Sequence, residues 1–364
     1  MRIITLLLII ATLFTSCKKD PSEKLLFEVL KENEVTAQNF TVPSNGTQLV
    51  VGDRGTRIYV NPENLISENG EIGDSITVSL TELTTKEELL KANAQTVSNG
   101  RWLISGGAYR IAMYSNGEAL KIKEGKSIKV EFPRIAEEPM QLFYGERENN
   151  EYMNWKESDV SLQDKKYPVI LHRDFSYLAF DEAYAIYRLI DSVNIDTLKR
   201  QSISEFRTSY KNADSLVVIN DTLHAYTSVA LRTIQIDRSI QLIDQLYEVV
   251  YLKKLDWINV DRFYPKNLER VTLEIEVEKD AFFSQLYLLD KTQNTVLNLF
   301  ENTEGKIIVD IPINVSFDLI ILAIKDEKIF GSRETISISS SQKYRPSLKK
   351  MTKEELNKLF DLNQ

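Results

Sequence analysis

Leu120–Pro133 reads LKIKEGKSIKVEFP, and its second half sets the fold class. From Ser127 to Phe132, apolar Ile128, Val130 and Phe132 alternate with charged Lys129 and Glu131. A strand points successive side chains to opposite faces, so a period of two gives one face to a core and the other to water. The same alternation recurs upstream at Thr56–Val60, Ile76–Leu83 and Ala108–Tyr114. Turn chemistry separates these runs. Asn-Gly pairs stand at Asn45-Gly46, Asn69-Gly70, Asn99-Gly100 and Asn116-Gly117, and Asn-Gly suits the positive φ angles of two-residue hairpins. Residues 36–160 are therefore expected to form an antiparallel β-sandwich. A short helix interrupts it at Lys86–Asn93, opened by a capping box of Thr85 and Glu88.

Glycine placement divides the remainder. Eleven of the thirteen glycines lie from Gly46 to Gly145, and none occurs from Glu146 to Glu304. Within that gap, residues 176–250 read as helical: Ala183, Tyr187 and Ile190 share one helical face, and Leu231, Ile234, Leu242, Leu246 and Val249 form a looser stripe. From Leu268 to Ser340 the period returns to two, with Val271, Leu273, Ile275 and Val277 alternating with Thr272, Glu274, Glu276 and Glu278. Val315–Ala323 reads as a buried strand. Thr352 and Glu355 open a closing helix with Leu356, Leu359 and Phe360 on its apolar side. The expected class is α+β, mostly β. It comprises the sandwich at 36–160, a mixed, helical middle at 161–264, a C-terminal β-sandwich-like domain at 265–340 and a terminal helix within 341–364.

The chain opens MRIITLLLIIATLFTSC. After Arg2 an apolar run extends from Ile3 to Phe14, about 18 Å of helix against the roughly 30 Å of a bilayer core. That is the length of a signal peptide (residues 1–16), and small Thr15 and Ser16 precede Cys17, the only cysteine of the chain. Phe14-Thr15-Ser16-Cys17 resembles the lipobox of bacterial lipoproteins. The resemblance implies acylation of Cys17 by palmitate-type chains and an outer-membrane location in the cell envelope; the polar residues of 17–35 read as a tether, with a helix opened by Asp20, Pro21 and the capping residue Glu23. With one cysteine already assigned, the domains have no disulfides and rest on their cores.

Charge narrows the partners. Removing residues 1–16 takes only Arg2 from the charged residues, which moves the net charge from −8 to −9. Acidic and basic residues are mixed without a basic stripe, which argues against nucleic acid. The membrane, reached through the anchor, and other envelope proteins or glycans remain as partners.

The β region resembles the ZU5-like domain of uncharacterised lipoproteins from Bacteroidota. The resemblance rests on Gly55-Thr56, Glu68-Asn69-Gly70, Ser98-Asn99-Gly100, Ser105-Gly106-Gly107 and Leu120–Pro133. Met140–Glu146 (MQLFYGE), Leu255–Tyr264 (LDWINVDRFY) and the closing MTKEELNKLFDLN fit the same group, although Asp256 stands where its pattern has glycine. The resemblance implies fold and location. The group has no assigned activity, so no catalytic residue is carried over. Some animal ZU5 domains cleave themselves at His-Phe-Ser; here His172-Arg173-Asp174-Phe175-Ser176 separates the histidine from Phe-Ser by two residues, which argues against cleavage.

Direct chemical signals are few. His172 and His224 are too few for most metal sites, and no nucleotide, phosphate or serine-hydrolase signature occurs, so neither metal nor cofactor is expected. Two readings of Asn149–Glu157 (NNEYMNWKE) are open. Tyr152 and Trp155 present a stacking face to a sugar, with Asn150 and Asn154 bonding its hydroxyls; or Trp155 packs on the sheet, which the rarity of exposed tryptophan favours. Trp102 and Trp257 read as core. Asp256, Asp261 and Arg262 read as an inter-domain salt-bridge group. Asp-[Ser/Thr]-aliphatic triplets mark Ser75, Ser192, Thr197, Ser215 and Thr222 as O-glycosylation positions by resemblance to exported Bacteroidota proteins. The expected function is a lipid-anchored, non-catalytic scaffold, adaptor or binding protein. The alternatives are a surface glycan-binding lipoprotein of a polysaccharide uptake system and a hydrolase with a carboxylate in an inter-domain cleft.

Overall fold

The computed structural model of this chain describes residues 35–148, 152–172, 195–209, 213–219, 221–227, 246–276, 283–299, 306–325 and 328–362. The leader, Cys17 and the helix expected after Asp20 lie outside the described residues. Strands dominate, arranged mostly in antiparallel sheets, and a short helix closes the chain, so the class is mostly-β α+β.

The first sandwich has a large sheet ordered Gln38–Pro43, Ser75–Leu83, Arg101–Ser115, Asp256–Phe263, Gln141–Glu148, Tyr152–Ser161. Its partner sheet runs Val250–Leu252, Ile128–Glu131, Arg57–Val60, Gln48–Val51. Ile58, Val78, Ile111, Ile128, Val130, Leu142 and Ile258 fill the space between them, all 0 % exposed. Two Asn-Gly pairs do what their chemistry predicts. Asn99 and Gly100 (φ +48° and +78°), and Asn116 and Gly117 (φ +51° and +82°), turn the chain into and out of Arg101–Ser115. The helix Lys86–Lys91 carries the Thr85–Glu88 capping box and buries Leu89 and Leu90.

The boundary expected at residue 160 cuts through this unit. Asp256–Phe263, which the sequence places in the middle region, lies at the centre of the large sheet, antiparallel to both Arg101–Ser115 and Gln141–Glu148. Val250–Leu252 joins the partner sheet beside Ile128–Glu131. Asp256 itself has φ +92°, in the left-handed region that favours glycine, and its carboxylate meets Arg110 Nε at 2.9 Å.

The helical middle is also corrected. Its described part is a sheet ordered Ile195–Gln201, Tyr167–His172, Thr222–Thr227, Ala213–Ile219, with one helix at Ile203–Ser209. Absence of glycine suits a strand as well as a helix. β-branched Val217, Val218 and Ile219 favour the former, and Asp221 (φ +57°) supplies the hairpin turn. The stretches carrying Ala183, Tyr187, Ile190, Leu231, Ile234 and Leu242 lie outside the described residues.

The C-terminal sandwich pairs a sheet of Lys306–Pro312, Arg270–Glu276 and Gln342–Tyr344 with one of Val296–Leu299, Phe283–Asp290, Ser316–Lys325, Lys328–Ser337 and Lys349–Lys350. It therefore extends past the expected limit of residue 340. Ser316–Lys325 is buried on both faces: Leu319 and Ile321 face the sandwich's own core, whereas Ile320, Leu322 and Ile324 face the first sandwich. Four sheets thus stack in series, and the helices Lys86–Lys91 and Lys353–Leu359 pack into the middle seam through Leu89, Leu90 and Leu356. Thr352 and Glu355 form the expected cap of the last helix. Among the described residues no helix is long and apolar enough to cross a membrane.

Candidate functional site at the seam between the sandwiches

Of the two readings of Asn149–Glu157, the structure has the favoured one, with Trp155 packed and not presented to solvent. In Tyr152–Ser161, alternation turns Met153 and Trp155 into the seam, and Trp155 is 0 % exposed. Its indole Nε1–H donates to the Gln95 carbonyl at 2.8 Å, and its ring meets Trp257 edge-on at 6.4 Å. Asn154 is occupied by the neighbouring turn: its Oδ1 accepts from Asn99 N–H at 2.9 Å, and its Nδ2 donates to Asn99 Oδ1 at 3.2 Å. Tyr152 is half-buried, and Asn150 lies outside the described residues. Trp257 is core, as expected. Trp102 is half-buried, sandwiched between the Tyr264 and Phe317 rings and the Arg270 guanidinium.

Among the O-glycosylation positions, Ser75 is exposed at the start of Ser75–Leu83. Thr222 is half-buried beside Asp221, whose carboxylate binds Arg57 at 2.8 Å and Lys165 at 3.2 Å. Thr197 and Ser215 fall within strands, and Ser192 lies outside the described residues.

The seam is held by a clamp that sequence reasoning missed. The turn after Phe283–Asp290 lays Asn294 against Ser105: Ser105 N–H donates to the Asn294 carbonyl at 2.8 Å, and Asn294 Nδ2 donates to the Ser105 carbonyl at 3.0 Å. Thr295 Oγ1 donates to the Leu103 carbonyl at 2.8 Å, and Thr96 N–H to the Val296 carbonyl at 2.7 Å. Asp290 shapes the turn by accepting from the N–H groups of Thr292 and Gln293, and it accepts from the Tyr264 hydroxyl at 2.5 Å. These bonds cross between sandwiches through backbone groups, so the two units are joined as strands are joined, with directional bonds in a buried setting.

Beneath Ser105 lies a buried carboxyl. The pairing of Arg101–Ser115 with Asp256–Phe263 shifts register between Asn259 and Asp261, opposite Gly106 and Gly107. Glycine is required there: a Cβ on Gly106 would come within 2.9 Å of the Val260 carbonyl oxygen, and Gly107 has φ +125°. Such a bulge re-aims side chains. It brings Ser105, Asn259 and Asp261 together, with Asn259 Nδ2 donating to Asp261 Oδ2 at 2.5 Å and Ser105 Oγ to Asn259 Oδ1 at 3.3 Å. Asp256 pairs with Arg110 and Arg262 with Glu138, each at 2.9 Å, but both ion pairs lie within the first sandwich rather than between domains as expected. Asp261 is instead 0 % exposed with an amide partner. Burial pushes its carboxyl well above the ordinary carboxylate range, only partly offset by Ser105, Asn259 and the Gly106 N–H.

A pH dependence follows. In the unfolded chain Asp261 titrates normally; in the fold it keeps its proton to higher pH. The folded state therefore binds more protons between the two values, and this residue's contribution to stability is fully present below the ordinary carboxylate range and is lost progressively as pH rises from there through the raised folded value. Asp261→Asn keeps the volume and removes the titration. Its melting temperature is expected to exceed that of wild type at about pH 8, with the gap closing by about pH 4; a gap independent of pH would show the carboxyl to be ionised in the fold.

A second charged group ties the middle sheet to the first sandwich. Lys165, 7 % exposed, reaches Glu131 at 2.9 Å, and the Tyr59 hydroxyl donates to Glu131 at 3.0 Å. Burial and then Glu131 push the Tyr59 phenol up to about 12. A cavity of about 10 Å³, lined by Arg134, Asp164, Lys165, Tyr167, Ile203 and Leu246, adjoins this group and has room for about one water. Among the described residues no cluster of three His, Cys, Asp or Glu is placed to hold a metal ion.

No family model matches this chain. No curated protein matches it either. Among solved structures it is similar to the Bacillus anthracis TIE protein, at 9% identity and a TM-score of 0.20, over 87% of this chain and 52% of that one. The chain thus spans about half the length of that protein.

Proposed function

We propose that this protein is a lipid-anchored envelope lipoprotein that acts as a non-catalytic scaffold or adaptor. The observation that carries the reading is the hydrogen-bonded clamp of Ser105, Leu103 and Thr96 to Asn294, Thr295 and Val296. Sandwiches joined by buried backbone bonds transmit position along a stack, which a spacer or adaptor needs. The residues with the strongest chemistry, Asp261, Glu131 and Trp155, are engaged in packing and pairing. Phe14-Thr15-Ser16-Cys17 supports attachment of the stack to a membrane through Cys17. Cys17→Ser is expected to move the protein from the membrane to the soluble fraction of the envelope; unchanged fractionation of that variant rejects the anchor.

A glycan-binding reading is favoured by one observation. On the seam face of the C-terminal sandwich, Gln285, Tyr287 and Asn298 bury neutral amides and a phenol, and Asn298, the cross-strand partner of Tyr287, has no hydrogen-bond partner for either amide atom. Neutral amides and a phenol suit sugar hydroxyls. At 0–7 % exposure they are reached only if the seam opens. Binding on a glycan array that Asn298→Leu abolishes would favour this reading over the scaffold.

A further inference from the structure

The stack ends in two outer faces of opposite character. On the C-terminal sandwich, Glu274 and Glu276 are matched by Lys306, Lys343 and Arg345 at 2.5–3.6 Å, a face paired for water. The outer face of the first sandwich's smaller sheet carries instead one cross-strand row of Leu49, Tyr59, Lys129 and Tyr251. Their chain neighbours Val50, Ile58, Val130 and Leu252 point into the core, which fixes the row outward. Leu49 is 52 % and Tyr251 61 % exposed, and Val51 in the adjoining row is 45 % exposed.

Charge on this face is mixed in sign, but its carboxylate Glu131 is covered by Lys165, which leaves lysine as the charge it presents. Lys129 Nζ lies 4.1 Å from the centroid of the Tyr59 ring, and exposed Lys253 stands in the bend that follows the strand Val250–Leu252. The nearby carboxylates are already bound, Glu131 by Lys165 and Tyr59 and Asp221 by Arg57 and Lys165. An aromatic and cationic face on a chain of net charge −8 therefore sets one side apart from the rest of the surface. Tyrosine suits the boundary between headgroups and acyl chains, and lysine stems lie along apolar surface while the ammonium reaches phosphate.

We propose that this face docks on an anionic membrane surface, with Leu49 and Tyr251 entering the headgroup layer and Lys129 and Lys253 meeting lipid phosphates. The proposal rests on the lipid-anchored reading, which brings the sandwich to a membrane. Residues 18–34 span up to about 60 Å when extended, enough to let the sandwich turn this face to the bilayer. Docking by the end sheet would stand the stack away from the membrane.

The test uses the mature chain, residues 17–364, as the non-acylated Cys17→Ser variant, mixed at low salt with vesicles of phosphatidylglycerol and phosphatidylcholine or of phosphatidylcholine alone. Co-sedimentation is expected with the anionic vesicles, weakening as salt rises. Adding Tyr251→Ser and Lys129→Glu is expected to lower binding about ten-fold, while Ile308→Ser, an exposed position on the opposite outer face, leaves it unchanged. No binding to anionic vesicles, or equal binding by the two-residue variant, overturns the proposal. So does a dimer that the two-residue variant loses in the absence of vesicle binding, which would give the face to a second copy of the chain. Acylation plays no part in this measurement, so its failure is separate from a failure of the Cys17 anchor.

Discussion

Residues 36–160 expressed alone are expected to stay without a cooperative unfolding transition, whereas residues 36–166 joined by a short linker to 246–264 are expected to regain one. The missing piece is the strand Asp256–Phe263, which pairs on both sides, with Arg101–Ser115 and Gln141–Glu148. Without it the large sheet splits, and both neighbours expose unpaired backbone groups in what was the sheet interior. Val250, Leu252, Trp257, Ile258 and Val260 leave with it, each 7 % exposed or less. At about 1.5–3 kcal/mol for each buried apolar side chain, the loss is about 10 kcal/mol, as large as the whole stability of a typical domain, about 5–15 kcal/mol. Circular dichroism and urea titration of the two proteins decide the matter, and a cooperative transition for 36–160 alone would show the inserted strand to be dispensable.

That strand also marks where reading the sequence stops working. Local features were legible because their causes are local: the caps Thr85–Glu88 and Thr352–Glu355, the hairpins at Asn99-Gly100 and Asn116-Gly117, and the alternation of Ile128, Val130 and Phe132. Pairing across some 150 residues is set by which faces fit in space. Trp257, Ile258, Asn259, Val260 and Asp261 are all buried, because one face lies on the sandwich core and the other on the seam. Such a strand carries no alternation to announce its neighbours. Glu131 misled in the opposite direction. Its place in an alternating run assigns it to water, yet Lys165 from beyond the sandwich covers it to 2 % exposure.

The seam was legible only in fragments. Ser105-Gly106-Gly107 stands out in the sequence, but its use, a bulge that gathers Ser105, Asn259 and Asp261, depends on the register of a strand far along the chain. Asn294 and Thr295 stand in an ordinary turn sequence, and nothing in residue type distinguishes an Asn that clamps another sandwich from one that faces water. Asn154 taught the same lesson from the other side, since its amide is engaged by Asn99 rather than held for a ligand.

Trp155→Ala is expected to cost about 3–5 kcal/mol of stability and to lower the melting temperature by roughly 10 °C. The side chain is 0 % exposed and closes the seam between Met153, Trp257 and the backbone of Gly145, where even a single added Cβ would lie 2.7 Å from the Trp155 ring. Fit that close leaves little room for neighbours to relax into the hole, so most of the cavity term is felt. The Gln95 carbonyl loses the indole N–H as well, which separates two contributions. Trp155→Phe keeps most of the ring and should cost less than Ala, the remainder reporting chiefly the lost hydrogen bond, about 1–2 kcal/mol. Thermal melts of wild type, Phe and Ala variants at one pH give the ordering wild type above Phe above Ala. A Trp155→Ala protein that melts with wild type would mean the ring stands in solvent, and would return Tyr152 and Trp155 to the role of a sugar platform.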